Sequence, residues 1–300
     1  AASDVYKRQG ESLPILYGRS VTTGELVHVD DAPNGKACGC VCPDPGCGQP
    51  LIARNNGKKK IHHFAHIGGT CAWSAEYLLA ELALEVIRER GRVWFPELAY
   101  EAPGTHLPEK VSEGMELPVC CAEKIEVEGR KAPAIALEIR TSRGNARYVF
   151  VPELVHVLDG EQIASLRKEC RGIVRIGLRS LMRSMKTLEG KHYDREELAV
   201  RIQSKEVMEE LLSGRRQRHL EWAWNAKAKE LGDRAWALYA QRKKEERQKA
   251  DAEKERKAVI DQARREKVRL AAAKRAEKER AQLAQAAKAA AEREAAREAW

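Results

Sequence analysis

Five cysteines and three histidines fall inside residues 38–71, "CGCVCPDPGCGQPLIARNNGKKKIHHFAHIGGTC". This cluster constrains the fold more than any other feature, because zinc needs about four soft or borderline ligands converging as a tetrahedron. Cys42 and Cys47 stand five positions apart in a Pro/Gly loop that can turn both thiolates inward. His66 and Cys71 repeat that spacing downstream. The intervening "PLIARNNGKKKIHHFAH" reads as a hairpin with its turn at Asn55-Asn56-Gly57. Two chelating half-sites joined by a short hairpin are the construction of a small zinc ribbon. A site of four protein ligands is structural, since it leaves no open position. Cys38, Cys40, His62 and His63 compete for the same role. Cys40 is the best substitute thiolate and His63 the best substitute imidazole.

The rest of the composition fits this reading. The chain of 300 residues has eight cysteines and no secretion signal, which favours metal binding over disulfides. No apolar run approaches the roughly 18 residues of a membrane span, so the expectation is a cytoplasmic protein without a membrane partner. Lys and Arg number 54 against 45 acids, a net charge of +9 that points to polyanionic partners. With 33% charged and only 5% aromatic residues, a modest core joined to a strongly solvated segment is expected. The start, "AASDVYKRQ", resembles a translated sequencing-adapter remnant and is set aside.

Periodicity organises the remainder. "LVHV" is a short strand ahead of the cysteine segment, and Ser74 to Arg90 is a helix with Ser74 as N-cap and Gly91 beyond its last turn. "RVWFPELAYE", "MELPVCCAEKIEVEG", "KAPAIALEIRTS" and "ARYVFVPELVHVL" read as strands, "GEQIASLRKECRG" as a helix, and "IVRIGLRSLM" as a strand running into a helix. Elements from 11 to 190 therefore alternate around a mixed sheet. "DREELAVRIQSKEVMEELL" and "RQRHLEWAWNAKAKELGDRAWALYAQ" read as amphipathic helices. Residues 241–300 contain no Gly or Pro, 19 basic and 12 acidic side chains, and abundant alanine. Glu245 with Lys249 and Glu253 with Lys257 add favourable pairs, so a long solvated helix is expected. Its few large apolar residues sustain no heptad.

The stretch from 36 to 98, with its CP-x-C-like start, "HHFAH", a cysteine and a helix opening on Glu76, resembles the competence protein CoiA-like family. The likeness weakens towards residue 181 and does not cover the tail. It implies a zinc-binding lobe joined to a nuclease domain of the PD-(D/E)xK type that processes DNA. Such chemistry holds Mg²⁺ on carboxylates beside a lysine. Glu76 keeps the family's helix acid, but Ala80 and Leu84 replace the expected His and Lys. "APAIALE" aligns with the Pro-Asp strand, placing Ala134 where the acid is expected. On the next strand Val151 stands at the expected Glu, with Glu153 two residues on and on the same face. His156 and Asp159 align, Gln162 replaces a Lys, and Arg175 and Gly177 replace acids. A rival placement takes Glu138-Ile139-Arg140 as the E-x-K element, with Glu126 or Glu128 as the earlier acid.

The expectation is an α+β (mixed α/β) chain. Residues 1–19 are an artefactual start and lead-in, and 20–73 a zinc-ribbon-like lobe. Residues 74–190 are a restriction-endonuclease-like domain, 191–240 an amphipathic helical segment, and 241–300 a long charged helix. Cys42, Cys47, His66 and Cys71 are the expected Zn²⁺ ligands. Glu76, Glu138 and Glu153 are the expected catalytic acids, with Mg²⁺ only if activity survives. The function expected is DNA processing or DNA binding by a CoiA-like protein with a degraded nuclease centre. The alternative is a zinc-containing adaptor that uses its helical tail to bind protein. Trp222 and the arginines around it could hold nucleic acid, but tryptophans at such spacing more often belong to a core.

Overall fold

Short strands around the cysteine segment come first. The computed structural model describes residues 14–57, 60–68, 75–105, 107–142, 144–154, 156–185 and 195–298. β1 (Tyr17–Ser20) pairs antiparallel with β2 (Leu26–His28) and β3 (Cys40–Val41), and β4 (Leu51–Arg54) pairs with β5 (His63–His66). Their inward residues, Ile15, Val29, Cys40, Leu51, Ala53 and Phe64, form a separate small core. Gly18 is required there, since a Cβ would meet that of Cys40 at 2.7 Å.

α1 (Ala75–Arg90) matches the predicted helix, with its proposed cap Ser74 outside the described residues. Gly91 ends it in the left-handed region at φ 61°, its N–H reaching Ile87 O at 2.9 Å. The predicted strand after it is two, β6 (Arg92–Phe95) and β7 (Leu98–Glu101), separated at Pro96. β7 leaves to pair with β8 (Pro108–Ser112). β9 (Met115–Ile125), β10 (Ala134–Thr141) and β11 (Gly144–Glu153) follow as antiparallel neighbours. α2 (Gly160–Leu166) then crosses to β12 (Gly172–Gly177), which pairs parallel with β11. α3 (Leu178–Met185), α4 (Arg195–Ile202), α5 (Lys205–Leu212), β13 (Leu220–Asn225) and α6 (Ala226–Glu298) complete the chain.

One sheet unites the central strands in the order β13-β12-β11-β10-β9-β6. Strand alternation sorts its side chains. Ile135, Leu137, Ile139, Phe150, Val174 and Ile176 pack with Leu79, Ala83 and Ile87 of α1 and with Met208 and Leu211 of α5. Ala134, Val149, Val151 and Ile173 face the other way, towards Leu158, Ile163 and Leu166 in and before α2. The architecture is mixed α+β with a long C-terminal helix.

The predicted helix through "RQRHLEWAWN" is corrected: Leu220–Asn225 is an antiparallel strand on β12, and helix begins only at Ala226. A register shift beside Ala223 sends Trp222 to the α1 face and Trp224 to the α2 face, so both indoles serve the core. That double demand on two aromatic residues outweighs the local helical pattern.

Residues Ala1–Asp233 form one compact unit and Arg234–Trp300 a second. Within the second, residues 240–293 of α6 are exposed, and Lys243 with Glu246 and Lys257 with Glu253 pair on its surface.

Candidate functional site

The loop after β3 presents its thiols through backbone hydrogen bonds. Asp44 Oδ1 accepts from Gly46 N at 2.9 Å, and Asp44 O accepts from Cys47 N and Gly48 N at 2.9 and 3.0 Å. Cys42 N donates to Gln49 O at 2.8 Å and closes the knuckle. In the hairpin, Leu51 lies opposite His66, while Ile67 N donates to Pro50 O. His66 is thereby carried to the loop. The Sγ atoms of Cys42 and Cys47 and a ring nitrogen of His66 lie within 4.8 Å of one another. Cys47 Sγ stands 3.4 Å from His66 Nε2. This group can hold a metal ion and is compatible with zinc. Cys71, the expected fourth ligand, lies outside the described residues.

The substitutes are engaged elsewhere. The Cys40 thiol donates to Cys38 O at 3.2 Å, and burial, reinforced by Cys38, pushes it up to about 11. The Cys38 thiol reaches Leu51 O at 3.2 Å. His63 Nδ1 lies 3.0 Å from Ile61 O. His62 bonds Asp30 and lies 2.8 Å from Gly57 O, and the Asp30 carboxylate raises its pKa.

A second constellation lies where β11 ends. Glu76, 1% exposed on the first turn of α1, accepts from Leu154 N at 2.8 Å and His156 N at 2.9 Å through Oε1. Its Oε2 lies 2.8 Å from His156 Nδ1. Glu153, 8% exposed, accepts from Leu158 N at 2.8 Å and faces Arg175 Nε at 3.3 Å. The Arg130 side chain, 2% exposed, reaches Glu76 at 3.8 Å and donates to Pro152 O and His156 O. Burial lowers the Arg130 pKa against the opposing pull of Glu76 and Glu153. Burial also raises the Glu153 pKa, while the Leu158 N–H, Arg175 and Arg130 pull it down. Two carboxylates are thus balanced by two guanidiniums.

Glu138 does not join this group. It is exposed on β10, with Asn145 Nδ2 3.5 Å away, and lies opposite Arg147 in the strand register, six residues before Glu153 on β11. At about 3.3 Å per residue, that is roughly 20 Å along the strand. Ala134 and Val151, at the positions aligned with metal-binding acids, are fully buried in the apolar cluster under α2. Asp159 and Gln162 form a capping box that opens α2. Arg130 gave no sequence signal, being one arginine in a turn. Only the folded chain carries it to Glu76.

Comparison of the chain with known protein families, with curated proteins and with solved structures found no match. The chemistry of the site therefore rests on its own geometry.

The aromatic–basic segment is largely committed to structure. Trp222 Nε1 donates to Pro96 O at 3.1 Å, and its ring lies 5.9 Å from that of Phe95. Arg216 pairs with Glu210 at 2.5 Å. An open cleft of about 510 Å³ beside Trp222 is lined by Glu97, Glu221 and Arg218, a mixture unsuited to a phosphate track. No helix among the described residues is long and apolar enough to cross a membrane.

Proposed function

We propose that this chain is a non-hydrolytic, CoiA-like nucleic-acid-binding protein. In this reading residues 20–73 form a zinc-ribbon-like lobe and the central sheet is a PD-(D/E)xK-like domain whose catalytic centre has been replaced. The observation that carries the reading is the Arg130 guanidinium beside the buried carboxylates of Glu76 and Glu153. Mg²⁺ demands near-octahedral oxygen ligands at about 2.0–2.1 Å. Here the acid charge is already met by arginines and backbone donors, and the aligned Ala134 offers no carboxylate. Binding is then electrostatic, through the basic excess of residues 241–300.

For the metal, zinc fits the donors. Zn–S of about 2.3 Å and Zn–N of about 2.0–2.1 Å set a tetrahedral S···N edge near 3.5 Å. The Cys47–His66 separation of 3.4 Å approaches that edge. Cys42, Cys47 and His66 would hold the ion, with Cys71 as the fourth ligand, and the ion would supply a structural cross-link.

Plasmid and single-stranded DNA incubated with the protein and Mg²⁺ or Mn²⁺ should stay intact. Robust metal-dependent cleavage that survives repurification would overturn the reading. Binding to the same DNA should weaken steeply with salt. Removing residues 241–300 should flatten that slope by about 0.9 for each phosphate that the tail neutralises on the duplex, and by about 0.7 on the single strand. Unchanged affinity and slope would favour the adaptor reading, in which the tail binds protein. The opposite-charge pairs along α6, such as Lys257 with Glu253 at 2.7 Å, are the observation on that side.

A further inference from the structure

The sheet carries a feature that neither the metal centre nor the ionic cluster uses. Across β9 and β10, Ala122 lies opposite Leu137 and Cys121 opposite Glu138, but Ile139 lies opposite Val119. The register shifts by one residue between Glu138 and Ile139, and Cys120 is the additional residue. Directly opposed side chains share a face of the sheet. Leu137 and Ile139 are buried against α1, and Ala122 and Val119 pack with them. Glu138 is exposed on the opposite face, so Cys121 shares its side. Cys120 follows the inward Val119 and also points outward. Adjacent residues of a regular strand point to opposite faces, and the bulge cancels that rule at one step. Both residues are exposed, and both are free thiols.

The surroundings leave the pair accessible. β6 accompanies β9 only over Met115–Pro118, and the next backbone bond on that side joins Val119 N to Gly91 O at 2.9 Å. Beyond it, no further strand covers that side of β9 among the described residues. Arg88 caps the Ala122 carbonyl at 2.9 Å, which holds the backbone just after the two cysteines. Two thiols are thus fixed on one face, one peptide apart, with a carboxylate opposite. Zinc would require about four ligands, which two thiols do not supply. A trivalent metalloid with two exchangeable positions needs only the pair, and thiolates select soft centres.

We propose that Cys120 and Cys121 form a bidentate dithiol site for thiophilic trivalent arsenic. An arsenoxide, R–As=O, condenses with the two thiols to R–As(S–Cys)₂ and one water. Two As–S bonds form, both thiol protons leave on the oxide oxygen, and arsenic stays trivalent. The proposal is independent of the nucleic-acid reading.

Phenylarsine oxide is the probe, added to the full-length, zinc-loaded protein with mercaptoethanol as a monothiol competitor. Intact-mass spectrometry should show one adduct per chain, carrying the mass of the oxide less water and resisting the monothiol. Cys120→Ser and Cys121→Ser change exposed positions and should keep the wild-type circular dichroism. Each should weaken capture on the order of a hundredfold, because the second bond is no longer intramolecular. Their residual adduct should exchange with mercaptoethanol. Wild-type affinity in either variant, or an adduct that maps to the cysteines of residues 38–47, would overturn the assignment. A single monothiol-labile adduct on the wild type would do the same.

Discussion

At Arg130 one buried guanidinium serves the Glu76 carboxylate and the carbonyls of Pro152 and His156. Arg130→Ala should cost about 3–5 kcal/mol in denaturant unfolding, the usual consequence of stripping one partner from a buried ionic group. A loss below about 1 kcal/mol would mean that the carboxylates are satisfied without it. Glu153 makes the complementary case. Its pKa is raised above the ordinary 4.5 mainly by burial, so the folded state holds its proton more tightly than the unfolded chain does. The stability that this contributes is complete below the unfolded value and is lost as pH rises through the folded one. Glu153→Gln should therefore gain on the wild type across that rise, read as the difference in unfolding free energy between about pH 4 and 7. A constant difference would argue against the assignment. In the metal cluster, Cys47→Ser and His66→Ala should each reduce bound zinc below one per chain by elemental analysis. Chelation of the wild type should melt the N-terminal lobe before the sheet. Full occupancy in both variants would move the metal to other ligands.

Among the elements, α2 shows how a local signal and a remote one diverge. Asp159 and Gln162 lie at positions where the resemblance implies chemistry, yet they close a reciprocal cap: Asp159 Oδ1 accepts from Gln162 N at 2.8 Å. Asp159→Ala should lower unfolding stability by about 1 kcal/mol and leave DNA affinity unchanged. A fall in affinity without a fall in stability would assign the residue to binding. Such signatures were legible from sequence: the α1 span, the strands at β9 to β11, and the spacing of Cys42, Cys47 and His66 all follow from short-range pattern. β13 was not, because "LEWAWN" adjoins a strongly helical run and only the edge of β12 gives it a partner. The Arg130–Glu76 pair was illegible for the same reason. It joins residues 54 positions apart, and no periodicity marks it.

For the whole molecule, the sheet is completed late. β12 is flanked on one side by β11, and its other neighbour is β13, which follows α3, α4 and α5 among the described residues. A chain ending at residue 219 leaves the β12 backbone groups unpaired and Trp222 missing from beside Phe95, while one ending at 240 retains both. The shorter chain should aggregate on purification and the longer one should stay monodisperse in light scattering. Comparable behaviour of the two would mean that β13 is dispensable. The same strand order sets a schedule for synthesis. β6 to β12 leave the ribosome before their closing partner exists, so for that interval the nascent chain carries an open template edge. The 73 residues of α6 are made only after Asn225, and they lengthen the time a ribosome stays attached behind β13. Translation of the tail thus gives the sheet a protected interval in which to close before the chain is released.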